Sequence, residues 1–292
     1  MYSHRTICWT IRRAGRCTAA LTLGHEVRCD ITGVGRMTWC ANLTLLYTEF
    51  PWLERFEQAK NDGFDYVEIQ FPYEVDASAM LQALKAQQQR CVLINVPAGD
   101  LMSGGRGLAC VPGREGEFAE ALALCAEYVS VLKPSVVNVL AGRVGDDDPQ
   151  ACRDTLIENL KKAVARLSPL GVTVSLEAIN TFDMPGFLVS SWQDMVDICD
   201  AVPGVTPQFD LYHMARMSEP VETLLQTYGA RIGHIQFADV PGRHEPGTGE
   251  LPLASWFAAA RAGGYQGVSA AEYRPEHGTK EGMGWLAADW PV

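Results

Sequence analysis

What the chain lacks narrows it first. No stretch of its 292 residues approaches the roughly 18 uninterrupted apolar residues of a membrane-spanning helix, which excludes a spanning segment. An excess of cations is missing too. The net charge is −11, so a phosphate backbone is repelled and nucleic acid is not an expected partner. The nine cysteines stand singly with no CxxC pair, which argues against a zinc knuckle or disulfide frame and for reduced thiols in a cytoplasmic protein. With 47% hydrophobic and 20% charged residues, the chain is globular rather than disordered.

Residues 1–36 do not share the character of the rest. Arg5, Arg12, Arg13, Arg16, Arg28 and Arg36 face only Glu26 and Asp30, a balance of +4 that leaves −15 for residues 37–292. No sustained period of 2 or 3.6 runs through this segment. It reads as an extension from an upstream start, with Met37 opening the folded body. A transit segment fits less well, because an amphipathic Leu/Arg helix is not evident.

From Cys40 onward, β-rich runs at 40–46, 66–70, 91–96, 136–140, 172–178, 206–211, 232–238 and 268–273 alternate with helical spacing at 51–61, 77–88, 114–132, 149–167, 192–201, 221–228, 254–262 and 280–290. Ser191 and Thr279 are placed as N-caps, and Gly63, Gly171 and Gly264 lie near C-termini. Eight alternations predict an α/β chain with a single (β/α)8 TIM barrel over residues 37–292. A doubly wound sheet would want glycines after its first strand, and residues 42–48 contain none.

A barrel of this kind puts its chemistry where strands end. The fifth run ends in Glu177, the sixth in Asp210 and the eighth in Glu272, while Gln236 shares a face of the seventh with His234. Three carboxylates at one mouth repel one another unless a cation stands among them. An oxygen-rich set of Glu177, Asp210, Gln236 and Glu272 suits a hard divalent ion, Mg2+ or Mn2+, better than Zn2+. The plainer reading is that each carboxylate caps a helix or pairs with an arginine. His213, three residues past Asp210, is a candidate substrate contact. Arg243, in the glycine-rich loop 242–250, is a candidate for holding a substrate carboxylate, with Glu245 and Glu250 diluting its field.

These residues bring a family into view. The segments Ala41-Asn42-Leu43, Phe71-Pro72-Tyr73, Pro97-Ala98-Gly99-Asp100, Glu177-Ala178-Ile179-Asn180, Asp210-Leu211-Tyr212-His213, Gly233-His234-Ile235-Gln236 and Glu272-Tyr273 occur in order, and the body resembles the hydroxypyruvate isomerase family of xylose-isomerase-like TIM barrels. The resemblance implies an aldose–ketose isomerase for a small oxo acid, with Glu177 and Glu272 as the acid/base pair and the same four residues as ligands in metal-bound members. Hydroxypyruvate isomerases and 2-oxo-tetronate isomerases share these features. Residues 180–187 resemble the former, whereas Ile94 stands where some members carry His.

In the expected reaction a proton moves between C3 and C2 of hydroxypyruvate through an enediolate, with His213 holding the oxyanion and Arg243 the carboxylate. An epimerase would use the same two glutamates, and a non-catalytic carbohydrate-binding barrel would bind without turnover. An apurinic-site endonuclease would need a His-rich site and a basic surface, which six histidines and the acidic charge do not provide. Trp285 and Trp290 are read as core residues, with a homo-oligomer interface as the alternative.

Overall fold

The computed structural model describes residues 37–288 and 290, together with the backbone of 17–19 and 27–29. Among the described residues, parallel strands close into an eight-membered barrel. They are β1 (Trp39–Asn42), β2 (Tyr66–Ile69), β3 (Arg90–Asn95), β4 (Val136–Val139), β5 (Thr173–Glu177), β6 (Val205–Asp210), β7 (His234–Phe237) and β8 (Ser269–Ala271). Each pairs with its neighbours in sequence, and β8 pairs with β1 to seal the ring. The helices are α1 (Arg55–Asn61), α2 (Ala77–Ala86), α3 (Glu115–Leu132), α4 (Pro149–Leu167), α5 (Trp192–Ala201), α6 (Leu211–Arg216), α7 (Val221–Tyr228) and α8 (Leu253–Ala262).

The N-terminal floor of the barrel is apolar. Cys40, Val92, Leu93, Val136 and Ala270 meet there, with Tyr66 and Val268 packed against them. An aromatic cluster links β1 and β7, the two neighbours of β8. Trp39 lies edge-on to Phe237 at 5.4 Å, Phe257 at 4.9 Å and Trp285 at 5.4 Å, and Trp290 joins it at 5.8 Å from Trp39. Trp285 and Trp290 are thus part of the packing within this chain.

Local chemistry sets the helix ends. Ser191 accepts the Asp194 amide to cap α5, Asp148 caps α4 with Pro149 at its first position, and Gly63 takes the left-handed conformation that a side chain would oppose, φ 95°, just past α1.

Two expectations are corrected. The segment 280–290 is not an α-helix; a single 3-10 stretch, Met283–Ala287, lies within it. Glycines at 278, 282 and 284 cost helix stability there. Thr279 caps no helix either: its hydroxyl accepts the Tyr47 amide at 2.7 Å and donates to Glu49 at 3.1 Å. In addition, α6 follows β6 directly, a short helix that the periodicity of the sequence did not mark.

Residues 37–291 make up the unit holding the barrel, and residues 1–36 with 292 make up a separate one, in which Cys17–Ala19 runs antiparallel to Val27–Cys29. The start-site reading of the N-terminal segment lies outside the described residues.

Candidate active site

Above the apolar floor the barrel interior turns polar. Glu68 of β2 is fully buried. Its Oε1 accepts from Asn42 at 2.7 Å and from Gln236 at 2.8 Å, and its Oε2 meets His234 Nε2 at 2.7 Å. The chain of contacts continues. Gln236 Oε1 accepts from Gln208 at 2.7 Å, Gln208 also donates to Glu177 at 3.2 Å, and Asn138 donates to the same Glu177 oxygen at 3.0 Å. Buried polar groups persist only when paired, and here each partner is supplied by another strand of the ring. The strand-end reading missed Glu68. A signal was present, because a carboxylate between Val67 and Ile69 must face the opposite side of the strand from both.

At the rim, Glu177, Asp210 and His213 converge so that one ligand atom from each lies within 4.8 Å of the others. His213 Nε2 is 3.6 Å from Asp210 and 3.9 Å from Glu177. Asp210 also caps α6, its Oδ1 accepting the amides of Tyr212 and His213 at 2.7 and 3.3 Å, which leaves Oδ2 for the site. Arg243 reaches in over Tyr212, with Nη2 at 3.5 Å from Asp210 and 3.3 Å from Glu272. The cap and the arginine pairing are both realised, alongside a cluster compatible with a divalent cation.

The tautomer of His213 follows from its neighbours. Asn180 donates to Asp183 Oδ2 at 3.0 Å and accepts the Asp183 amide at 2.8 Å, so its orientation is fixed and its NH2 faces His213 Nδ1 at 2.6 Å. Nδ1 therefore accepts, and the hydrogen sits on Nε2, aimed at Glu177 and Asp210. In this tautomer His213 is a donor to an oxyanion, and the lone pairs open to a metal belong to the carboxylates. Gln236 also lines the cavity, its Oε1 already accepting from Gln208.

Electrostatics divide the labour. Burial, then the charge of Asp210, pushes Glu177 up to about 8. Glu272 is raised well above the ordinary carboxylate range, again mainly by burial. Burial lowers His213 to about 4, so it is neutral at physiological pH. It also works against the Arg243 charge, but Glu272, Asp210 and Glu177 outweigh it and hold the guanidinium above its usual pKa.

Arg243 is presented by a pinned loop. The Asp239 carboxylate accepts the amides of Val240, Gly247, Gly249 and Leu251 at 2.8 to 3.1 Å. A side chain at Gly249 would collide with the Val240 carbonyl at 1.8 Å. Glu245 accepts the Glu276 amide at 3.0 Å, which ties the loop to the segment after β8.

A cavity of about 70 Å³ opens among Glu177, Glu272, His213 and Arg243, room for a ligand of a few heavy atoms. Within its lining, Glu272 Oε2, Arg243 Nε and Asn95 Oδ1 are buried without a hydrogen-bond partner among the described residues. Orphans of this kind cost stability unless a ligand satisfies them.

Comparison with known proteins agrees with this geometry. The family model described as xylose isomerase-like TIM barrel matches residues 56–289. A 2-oxo-tetronate isomerase from Cupriavidus necator is 41% identical over 85% of this chain and 96% of its own length. A hydroxypyruvate isomerase from Escherichia coli is 35% identical over 86% and 98%. A solved structure from Brucella melitensis, described as an AP endonuclease, family 2, superposes with a TM-score of 0.83 at 35% identity, covering 87% of this chain and 100% of that one. The chain belongs to the xylose isomerase-like TIM barrel family and is an isomerase.

Proposed function

We propose that the enzyme interconverts hydroxypyruvate and tartronate semialdehyde (2-hydroxy-3-oxopropanoate). The observation that carries this reading is the pair of buried glutamates, Glu177 and Glu272, lining one small cavity with Arg243 beside them. Burial pushes both carboxyls upward against the opposing charge of Arg243, and a coupled pair that shares one proton offers one acid and one base. The ionised carboxylate takes a proton from C3, the C2 carbonyl becomes the oxyanion of an enediolate, and the protonated carboxyl returns a proton to C2. The hydroxyl proton on O3 passes to O2, so the atoms balance with no external oxidant. His213 Nε2–H supports the oxyanion. Arg243 Nε, without a protein acceptor, holds the substrate carboxylate.

The donor set also fits Mg2+ or Mn2+, held by Glu177, Asp210 and Glu272 with Gln236 behind them. Such an ion supplies Lewis-acid polarisation of the substrate oxygens when bound. The six described cysteines are free and buried, and no helix of the described residues is long and apolar enough to cross a membrane. Both observations suit a cytoplasmic enzyme.

A four-carbon 2-oxo acid is the second reading, favoured by the 41% identity to a 2-oxo-tetronate isomerase. Phosphodiester cleavage, the activity in the name of the Brucella structure, fits poorly. The chain carries a net charge of −11, and the cavity is too small for a nucleotide.

The test is incubation of the full chain with hydroxypyruvate in D2O, with and without Mg2+ or Mn2+, followed by proton NMR. Tartronate semialdehyde carrying solvent deuterium at C2 is the expected product. Binding of the acid without turnover would sink the isomerase reading in favour of a binding barrel.

A further inference from the structure

Asn95 closes β3, and its side chain is 4% exposed. Its Oδ1 meets no donor and its amide nitrogen no acceptor among the described residues. Both its backbone groups, by contrast, are used. Its amide donates to Gln70 at 2.8 Å and its carbonyl accepts from Tyr73. The backbone is thus locked while the side-chain amide is left unpaired in the wall of the cavity that holds Glu177 and Glu272. A buried acceptor that meets no donor is costly, and a ligand group that donates relieves it. A hydroxyl is such a group; a carboxylate only accepts.

Topology says which hydroxyl. In a closed ring of eight, β3 lies opposite β7. Arg243 stands in the loop beyond β7, bridging Asp210 at the end of β6 and Glu272 just past β8. An oxo acid whose carboxylate is held by Arg243 therefore points its far end across the mouth toward Asn95, with Glu177 and Glu272 flanking its reacting carbons. Asn95 is next to Asn138 on β4, and Asn138 donates to Glu177 at 3.0 Å. A three-carbon oxo acid ends at its reacting C3, whereas a four-carbon one carries a further hydroxymethyl beyond it.

We propose that Asn95 is a specificity-determining residue that hydrogen-bonds a non-reacting hydroxyl one carbon past the reacting pair, which lets the site that handles the three-carbon acid also take hydroxylated four-carbon 2-oxo acids. This rests on the isomerase reading of the same cavity. It concerns an amide that takes no part in the proton transfer, and a polar site of this kind discriminates strongly against an analogue that lacks the hydroxyl.

The experiment compares kcat/KM of wild type, Asn95→Leu and Asn95→Ser on hydroxypyruvate and on 2-oxo-tetronate. The ratio is internal to each preparation, so a variant that folds incompletely does not distort it. Asn95→Leu is expected to lower the four-carbon over three-carbon ratio by about 10-fold or more, with the hydroxypyruvate value changed less than about threefold and Asn95→Ser intermediate. An unchanged ratio, or an equal fall on both substrates, overturns the proposal. Binding of the unreactive acids glycerate and erythronate, measured by calorimetry, separates the two readings. If wild type turns over neither oxo acid, the isomerase reading fails, and Asn95 stands only if Asn95→Leu still weakens erythronate binding selectively over glycerate.

Discussion

Arg243 Nη2 lies 3.3 Å from Glu272 Oε1, so the guanidinium stands between carboxylates where a divalent cation would also be drawn. The arginine and an ion would answer the same repulsion. Arg243→Met leaves Glu177, Asp210 and Glu272 uncompensated, and removing one partner of a buried charge set costs about 3–5 kcal/mol. Metal-free Arg243→Met is expected to unfold at lower temperature than wild type, and Mn2+ is expected to raise its midpoint more than that of wild type. Equal responses to Mn2+ in thermal scans of the two proteins would refute this competition.

Glu177 and Glu272 are the proton-transfer pair of the proposed reaction, and each is replaceable by an isosteric amide that keeps its size but carries no proton to move. Glu177→Gln and Glu272→Gln are each expected to lower kcat by about 10³-fold, within the usual range for a general acid or base. Solvent-deuterium incorporation followed by NMR measures this directly. Near-normal exchange in both variants would remove the two-glutamate mechanism.

How much of this was legible from residues alone differs between floor, rim and loops. The strand-end carboxylates Glu177, Asp210 and Glu272 were visible because period-2 runs terminate on them, and a barrel places chemistry at that end. Glu68 escaped, since it sits mid-strand and its partners Asn42, His234 and Gln236 come from β1 and β7, a convergence that only closure of the ring creates. The 280–290 segment misled because aromatic spacing imitates a helix while its glycines undo one. The orientation of His213 was beyond reach for the same reason as Glu68, because it depends on the contact of Asn180, past the end of β5, with His213 on α6.

In the metal-free protein Glu177 and His213 tie stability to pH with opposite signs. Burial raises Glu177 from an ordinary 4.5 to about 8, so between those values the folded state binds more protons than the unfolded one and stability falls as pH rises. His213 runs the other way, lowered from 6.5 to about 4. Its contribution is present above 6.5 and lost as pH drops toward 4. Between about pH 4.5 and 6.5 the His213 contribution opposes that of Glu177, so urea midpoints from pH 4 to 9 are expected to fall most steeply above pH 6.5. Glu177→Gln should flatten the fall above pH 6.5, and His213→Asn should steepen the fall between about pH 4.5 and 6.5. An unaltered profile in either variant would mean that its group does not titrate as placed.

Glu68 carries the last expectation. It touches no atom of the rim, yet it fixes Gln236 by accepting from its amide at 2.8 Å, which turns the Gln236 oxygen to Gln208 and so supports the donor that reaches Glu177. Glu68→Leu leaves Asn42, His234 and Gln236 with unanswered donors in a fully buried layer, a loss of about 3–5 kcal/mol. Glu68→Gln keeps one acceptor and should cost about 1–3 kcal/mol. Because the damage passes through Gln236 and Gln208, Glu68→Gln is also expected to lower kcat severalfold while leaving KM within about twofold, since it contacts no substrate atom. Urea denaturation gives the first quantity and steady-state kinetics the second. A Glu68→Leu protein as stable as wild type would show that the polar layer is not what holds the centre of the barrel.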